Sequence, residues 1–250
     1  MGLYKASDVL PEKVSRLSTM IDELDWLFGR PREWGLPMGR ISLITGARGT
    51  GKTRILTDLV KRLDKCGKAT LFSQGEVTVG QFVAEKFESS IPSHCYLCDG
   101  MSLDDQISAI SKVSPAIAIT DSVQQIEEYK GGRGAKEVIR KIRSVIQRTG
   151  THVILISQMT TTGTSRGGTE LPHEVDIEAY LTKWAPTMMP NFVSLKIAKN
   201  RYGEVGKEAI YCHLDSGIEC QSENRYKDPK WVSERGSKVK PGFWSRFVGK

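Results

Sequence analysis

Residues 46–53 read Gly46-Ala47-Arg48-Gly49-Thr50-Gly51-Lys52-Thr53, a complete G-x-x-x-x-G-K-[ST] run, and the fold follows from what stands on either side of it. Upstream, Arg40 to Thr45 (RISLIT) is a short apolar run of strand type. Downstream, Arg54 to Leu63 carries apolar residues at 55, 56, 59, 60 and 63, the spacing of one helix face. Strand, glycine loop, helix is the context in which such a run binds phosphate. Gly46, Gly49 and Gly51 let backbone N–H groups close around the phosphates, and the helix N-terminus adds partial positive charge. Lys52 is expected to reach the β- and γ-phosphates of ATP, with the Thr53 hydroxyl on Mg²⁺. All eight residues, 46 to 53, are therefore expected to line the nucleotide.

The rest of the chain repeats the alternation. Residues 69–73 read as a strand, 79–88 as a helix, 95–97 as a strand and 103–111 as a helix; 116–120 and 152–157 read as buried strands flanking a basic amphipathic helix over 136–148. This order predicts βαβ units, hence an α/β fold with a mostly parallel central sheet and helices on both faces. Beyond 190 the texture turns antiparallel: strands at 192–198 and 209–214 around a turn at Tyr202-Gly203 predict a C-terminal hairpin. Three regions result: a leader over 1–15, a nucleotide-binding domain over 16–221 and a tail over 222–250.

Composition bounds the function. With 250 residues, 39% of them hydrophobic, the chain can bury one sizeable core. A formal charge of +7 favours a polyanionic partner. No run of 18 apolar residues occurs, the first residues lack the apolar stretch of a signal peptide, and Ala6 breaks the myristoylation pattern, so no membrane partner is expected. Five cysteines at 66, 95, 98, 212 and 220 suggest free thiols in a reducing compartment, and the expected location is the cytoplasm. His94 with Cys95 and Cys98 invites a zinc reading. On a strand, however, residues three apart face opposite ways, and no second Cys/His pair with ligand spacing occurs.

Hydrolysis needs more than a phosphate loop. The apolar run at 116–119 ends in Thr120-Asp121-Ser122, placing Asp121 at a central strand's C-terminal edge, where an aspartate meets Mg²⁺ together with Thr53. Glu76 follows the strand at 69–73 and can polarise the attacking water as general base. Gln158 ends the strand at 152–157, where its amide can sense the γ-phosphate.

In order and wording these motifs resemble the RecA-like core of the bacterial RadA/Sms ATPases, within the wider RecA/DnaB group. The resemblance runs from about 14 to 219, through 16–25 (RLSTMIDELD), 75–81 (GEVTVGQ), 120–124 (TDSVQ), 157–163 (SQMTTTG) and 171–176 (LPHEVD), to 199–203 (KNRYG). That last element is similar to the family's K-N-R-F-G motif and to the K-x-R finger of DnaB helicases. Several positions depart. Met20 stands where the family has glycine, residues 29–39 replace a short glycine turn, Thr161 stands for a lysine, and Gln158 is more DnaB-like. The four-cysteine zinc module and the protease-like domain typical of the family have no counterpart in the 250 residues, so the expectation is a minimal motor, of a size that would suit a phage or mobile element; its location would then be the host cytoplasm.

The resemblance implies ATP held between subunits of a homo-oligomer, either a hexameric ring or a filament, with Lys199 and Arg201 delivered from a neighbour. Two residues apart, they point the same way, and a guanidinium supplied in trans can add about 10³–10⁵ in rate. It further implies single-stranded DNA as partner, met by the loops at 125–136 and 160–169, where Lys130, Arg133, Lys136 and Arg166 can track phosphates without reading bases. The tail carries eight Lys/Arg against three Asp/Glu, with Tyr226, Trp231, Phe243, Trp244 and Phe247. Its apolar end, 241–250, suits docking to a protein partner. The function expected is a DNA-stimulated ATPase in recombination, repair or replication, with helicase or translocase activity. The alternative is a nucleotide-controlled mediator, annealing factor or signalling protein that does not unwind DNA.

Overall fold

A computed structural model describes residues 5, 7, 13–100, 102–129, 134–159, 170–184, 191–214 and 217–220. In chain order the elements are β1 (Arg16–Leu17), α1 (Asp22–Phe28), β2 (Leu36–Pro37), β3 (Ile41–Gly46), α2 (Lys52–Asp64), β4 (Thr70–Gln74), α3 (Val79–Phe87), β5 (Cys95–Cys98) and α4 (Leu103–Val113). There follow β6 (Ile117–Asp121), α5 (Ala135–Thr149), β7 (His152–Gln158), α6 (Glu170–Glu174), β8 (Ile177–Lys183), β9 (Phe192–Asn200), β10 (Glu208–Leu214) and β11 (Gly217–Cys220). Nine strands form one sheet in the order β11-β10-β9-β8-β3-β7-β6-β4-β5. From β8 to β5 all pairings are parallel; from β8 to β11 all are antiparallel. This is the α/β, RecA-like architecture expected, with one refinement. The antiparallel part is no detached hairpin, because β8 pairs in parallel with β3 and antiparallel with β9, making the sheet continuous.

The apolar strands work because both faces are covered. Phe72, Ile117, Ile119, Ile154 and Ile156 join the cluster under α1, α2 and α3. The alternate residues Leu71, Ala118, Val153 and Leu155 join the cluster under α4 and α5. The α2 positions read from spacing, Ile55, Leu56, Leu59, Val60 and Leu63, are all buried. Helix starts follow local chemistry: Thr78 and Gln81 cap each other at α3, and Ser102 accepts the Asp105 N–H at α4. On edge strand β5, Cys95 packs against the first cluster and Cys98 against the second, on opposite faces.

Six elements were not read from the sequence, α1 and β8 being the longest of them, with β1, β2, α6 and β11 beside them. Helix α1 is held at its C-terminal end. The carbonyls of Trp26, Phe28 and Gly29 accept from Lys207 Nζ, from Arg16 and Asn200, and again from Lys207. No helix among the described residues is long and apolar enough to cross a membrane.

Candidate nucleotide site

The loop after β3 is shaped by what surrounds it. Gly51, the residue ahead of α2, has φ 87°. A Cβ there would also lie 2.2 Å from His213 Nε2, so β10 closes one side of the loop. Arg54 Nη2 donates to the Leu214 carbonyl, fixing the same strand end to the first turn of α2. At Gly46 a Cβ would meet the Leu181 carbonyl at 2.5 Å, so β8 presses on the loop from the other flank. Gly49, with φ 75°, has nothing within 4 Å of its Cβ position. The result is a cradle walled by β8 and β10 and open at its middle.

Lys52 Nζ donates to the Gly46 carbonyl at 2.7 Å and the Ala47 carbonyl at 2.8 Å. Burial lowers its pKa, while the nearby Asp121 and Glu76 carboxylates oppose that shift. Thr53 Oγ1 donates to Asp121 Oδ2 at 2.5 Å. Burial pushes the Asp121 carboxyl up; the Thr53 hydrogen bond pulls it down and Glu76 adds to the rise. A hydroxyl and a carboxylate in contact below a phosphate cradle are the hard oxygen ligands that Mg²⁺ takes, so these residues fit the ATP–Mg²⁺ pair.

Sheet register brings the remaining groups to the same edge. Gly46 pairs with Gln158 across β3 and β7, and Gln74 with Asp121 across β4 and β6. Glu76 is aimed by Gln74, whose Oε1 accepts from the Glu76 and Val77 N–H groups at 3.1 Å and whose Nε2 donates to the Val77 carbonyl at 2.7 Å. Arg48, Lys52, Thr53, Glu76, Asp121 and Gln158 line a single cleft of about 1180 Å³. It continues along α2 past Lys61 and Lys65, well beyond the reach of these six.

Lys199 and Arg201 do not line this cleft. As their spacing implies, they point the same way, towards α6. Lys199 Nζ donates to the Pro172 and His173 carbonyls at 2.8 and 2.9 Å. Arg201 reaches the His173 carbonyl at 3.4 Å and Asp176 Oδ1 at 3.3 Å. The residues between and after them serve the fold. Asn200 Nδ2 donates to the Phe28 carbonyl, Asn200 Oδ1 accepts the Tyr202 N–H, and a Cβ on Gly203 would meet the Gly29 carbonyl at 2.6 Å. Arg16 Nη2 donates to the Tyr202 carbonyl, tying the turn to the leader of α1. The KNRYG turn is thus bolted to the C-terminal end of α1 by its inner residues and presents its two outer cations.

Met20 lies on the cleft wall with φ 61°, a left-handed conformation that glycine takes at no cost. Of the proposed DNA-contact residues, Lys136 is exposed on the first turn of α5. Lys130, Arg133, Arg166 and the tail 222–250 lie outside the described residues. Sequence reasoning gave no role to Gln74, His213 or Asp176; only Asp176 stood inside a quoted motif, and its partners are remote in sequence.

No family model matches the chain. Among curated proteins it is similar to the DNA repair protein RadA of Mycolicibacterium smegmatis, 26% identical over 217 residues, covering 82% of this chain and 45% of that protein. It is similar to that of Campylobacter jejuni, 28% identical over 219 residues (84% and 47%), and of Bacillus subtilis, 23% over 211 (81% and 44%). The chain spans slightly under half the length of these relatives.

Proposed function

From the RadA-like, RecA-family core that this chain carries, we propose that it is a Mg²⁺-dependent ATP hydrolase acting on DNA in repair and recombination, stimulated by single-stranded DNA and active as a homo-oligomer. One observation carries the reading: the Thr53–Asp121 hydrogen bond at the mouth of the Gly46–Thr53 loop, in one cleft with Lys52, Glu76 and Gln158. A glycine turn with no catalytic role has no use for a half-buried carboxylate held against a helix-start hydroxyl. The relatives' name, DNA repair protein, supplies the process.

In this reading the Lys52 ammonium leaves the Gly46 and Ala47 carbonyls for the β- and γ-phosphates, and Thr53 and Asp121 hold Mg²⁺. Mg²⁺ held there would supply charge neutralisation for the transferred phosphoryl group. Glu76 takes a proton from the attacking water, and the Gln158 amide contacts the γ-phosphate from the neighbouring strand end. Lys199 and Arg201 do not line their own cleft, and in this reading their charge serves a neighbouring subunit's nucleotide. Lys130, Arg133, Lys136 and Arg166 would contact the DNA backbone, and residues 241–250 would dock a protein partner.

The test is ATP turnover with and without single-stranded DNA, alongside mass by light scattering, for the wild type, Lys52→Ala and Arg201→Ala. Both variants should be nearly inactive alone and should regain turnover when mixed, since each supplies the half-site the other lacks. An unchanged rate in Lys52→Ala would sink the ATPase reading. Mixed oligomers without rescue would place Arg201 in cis.

A further inference from the structure

Asp176 is 3% exposed, between α6 and β8, and it serves two cations. Its Oδ2 accepts the Ile41 N–H at 3.0 Å, and its own backbone N–H and carbonyl pair with Ile41 and Arg201. Its Oδ1 is shared: Arg143 Nη2 and Arg201 Nη1 both approach to 3.3 Å. The two arginines are not equivalent. Arg143, on α5, also donates to the Glu174 carbonyl at 2.6 Å, a short bond that fixes its head. Among the described residues, the one other acceptor of the Arg201 guanidinium is the His173 backbone carbonyl at 3.4 Å, and the Arg201 side chain is 47% exposed.

A buried carboxylate that loses its only cation is strongly destabilising, whereas one that retains a cation and a backbone N–H is not. Asp176 can therefore release Arg201 and remain satisfied by Arg143 and Ile41. Its backbone bond to Arg201 holds the turn in place while the guanidinium swings. We propose that Asp176 is a positioning residue that parks Arg201 on its own subunit, with Arg143 as the standing partner, and that transfer of Arg201 from Asp176 to the adjoining subunit's nucleotide limits turnover. The proposal rests on the trans-acting reading of Arg201 given above. Lys199, which holds the Pro172 and His173 carbonyls of α6, ties the second cation to the same segment.

The parking role predicts opposite effects from two neighbours of one guanidinium. Asp176→Asn removes the competing charge and should raise kcat by up to about five-fold, the factor for freeing a half-exposed ion pair. Arg143→Ala leaves Arg201 as the sole side-chain cation on Asp176 and should lower kcat by about two- to five-fold, with nucleotide affinity unchanged. Combining them should return kcat to the Asp176→Asn level.

A merely structural salt-bridge cluster gives the other pattern: both single variants lose thermal stability and activity together, which would overturn the proposal. Should Asp176→Asn fail to fold, Arg143→Ala decides alone, backed by Arg143→Lys, which should show a weaker effect of the same sign; an unchanged or raised kcat refutes parking. Full activity in Arg201→Ala would instead remove the trans-acting reading beneath it. An inactive Arg201→Ala beside an unaffected Arg143→Ala would leave that reading intact and dispose of the parking alone.

Discussion

Acidification from pH 7 to pH 5 should weaken the folded state by about 2 kcal/mol through His152 alone. This residue opens β7 and is fully buried. Its Nδ1 faces the Pro37 carbonyl at 2.7 Å, which can only accept, so Nδ1 carries the proton and Nε2 accepts from the Ser42 hydroxyl at 2.9 Å. Burial depresses its pKa from 6.5 to about 4, the Pro37 carbonyl and Asp176 opposing and Arg40 assisting. The unfolded chain takes up a proton near pH 6.5 while the folded chain does not until about pH 4, so stability falls as pH drops through that window. At pH 5 the unfolded histidine is almost fully charged and the folded one almost fully neutral, which gives the figure above; at pH 7 the effect is a few tenths of a kcal/mol. Urea unfolding at half-unit intervals from pH 7 to 5, above the range where ordinary carboxylates titrate, should show the decline. His152→Gln should flatten it, leaving the smaller part that His213, whose pKa burial also lowers, contributes with the same sign. An equal slope in wild type and variant would refute the assignment of a neutral, buried imidazole.

Glu76→Gln should retain ATP and lose turnover by about 10²–10⁴, the contribution of a general base; normal turnover would hand the water to another group. Met20→Gly should raise the midpoint of thermal unfolding by about 2 °C. It relieves about 1–2 kcal/mol of left-handed strain and returns about 0.4–1 kcal/mol through a looser unfolded chain. A lower midpoint would show that the Met20 side chain contributes more by contact than its backbone costs.

Much of the parallel core could be read directly because strands buried on both faces are unbroken apolar runs, as in Ile117–Ile119 and Val153–Ile156. The same runs announce their own ends, which is why Asp121 and Gln158 stood out as candidates. Elements held by remote partners gave no such signal. The seven-residue α1 has no side-chain cap at Ile21 and depends on Arg16, Asn200 and Lys207 at its other end. Strand β8 mixes polar and apolar residues, and its place follows from pairing with β3 on one side and β9 on the other. Met20 was legible only as a mismatch to the RadA/Sms pattern; the backbone supplies its meaning, a left-handed position filled by a side chain that pays for it. Asp176 and His213 went unread because their neighbours, Arg143 and Gly51, lie on other elements.

Four adjacent strands, in the order β3-β7-β6-β4, lead at their C-terminal ends into the cradle, Gln158, Asp121 and the turn that bears Glu76. Adjacent strands stand about 4.8 Å apart, so the groups are graduated across about 14 Å by the sheet itself, like marks on a ruler. Deleting one residue inside any of these strands would pull its mark back by about 3.3 Å and turn the side chain to the opposite face. Length changes in descendants of this chain should therefore collect in the segments between marks, where they alter what the ATP cycle is coupled to while leaving the spacing of its parts untouched.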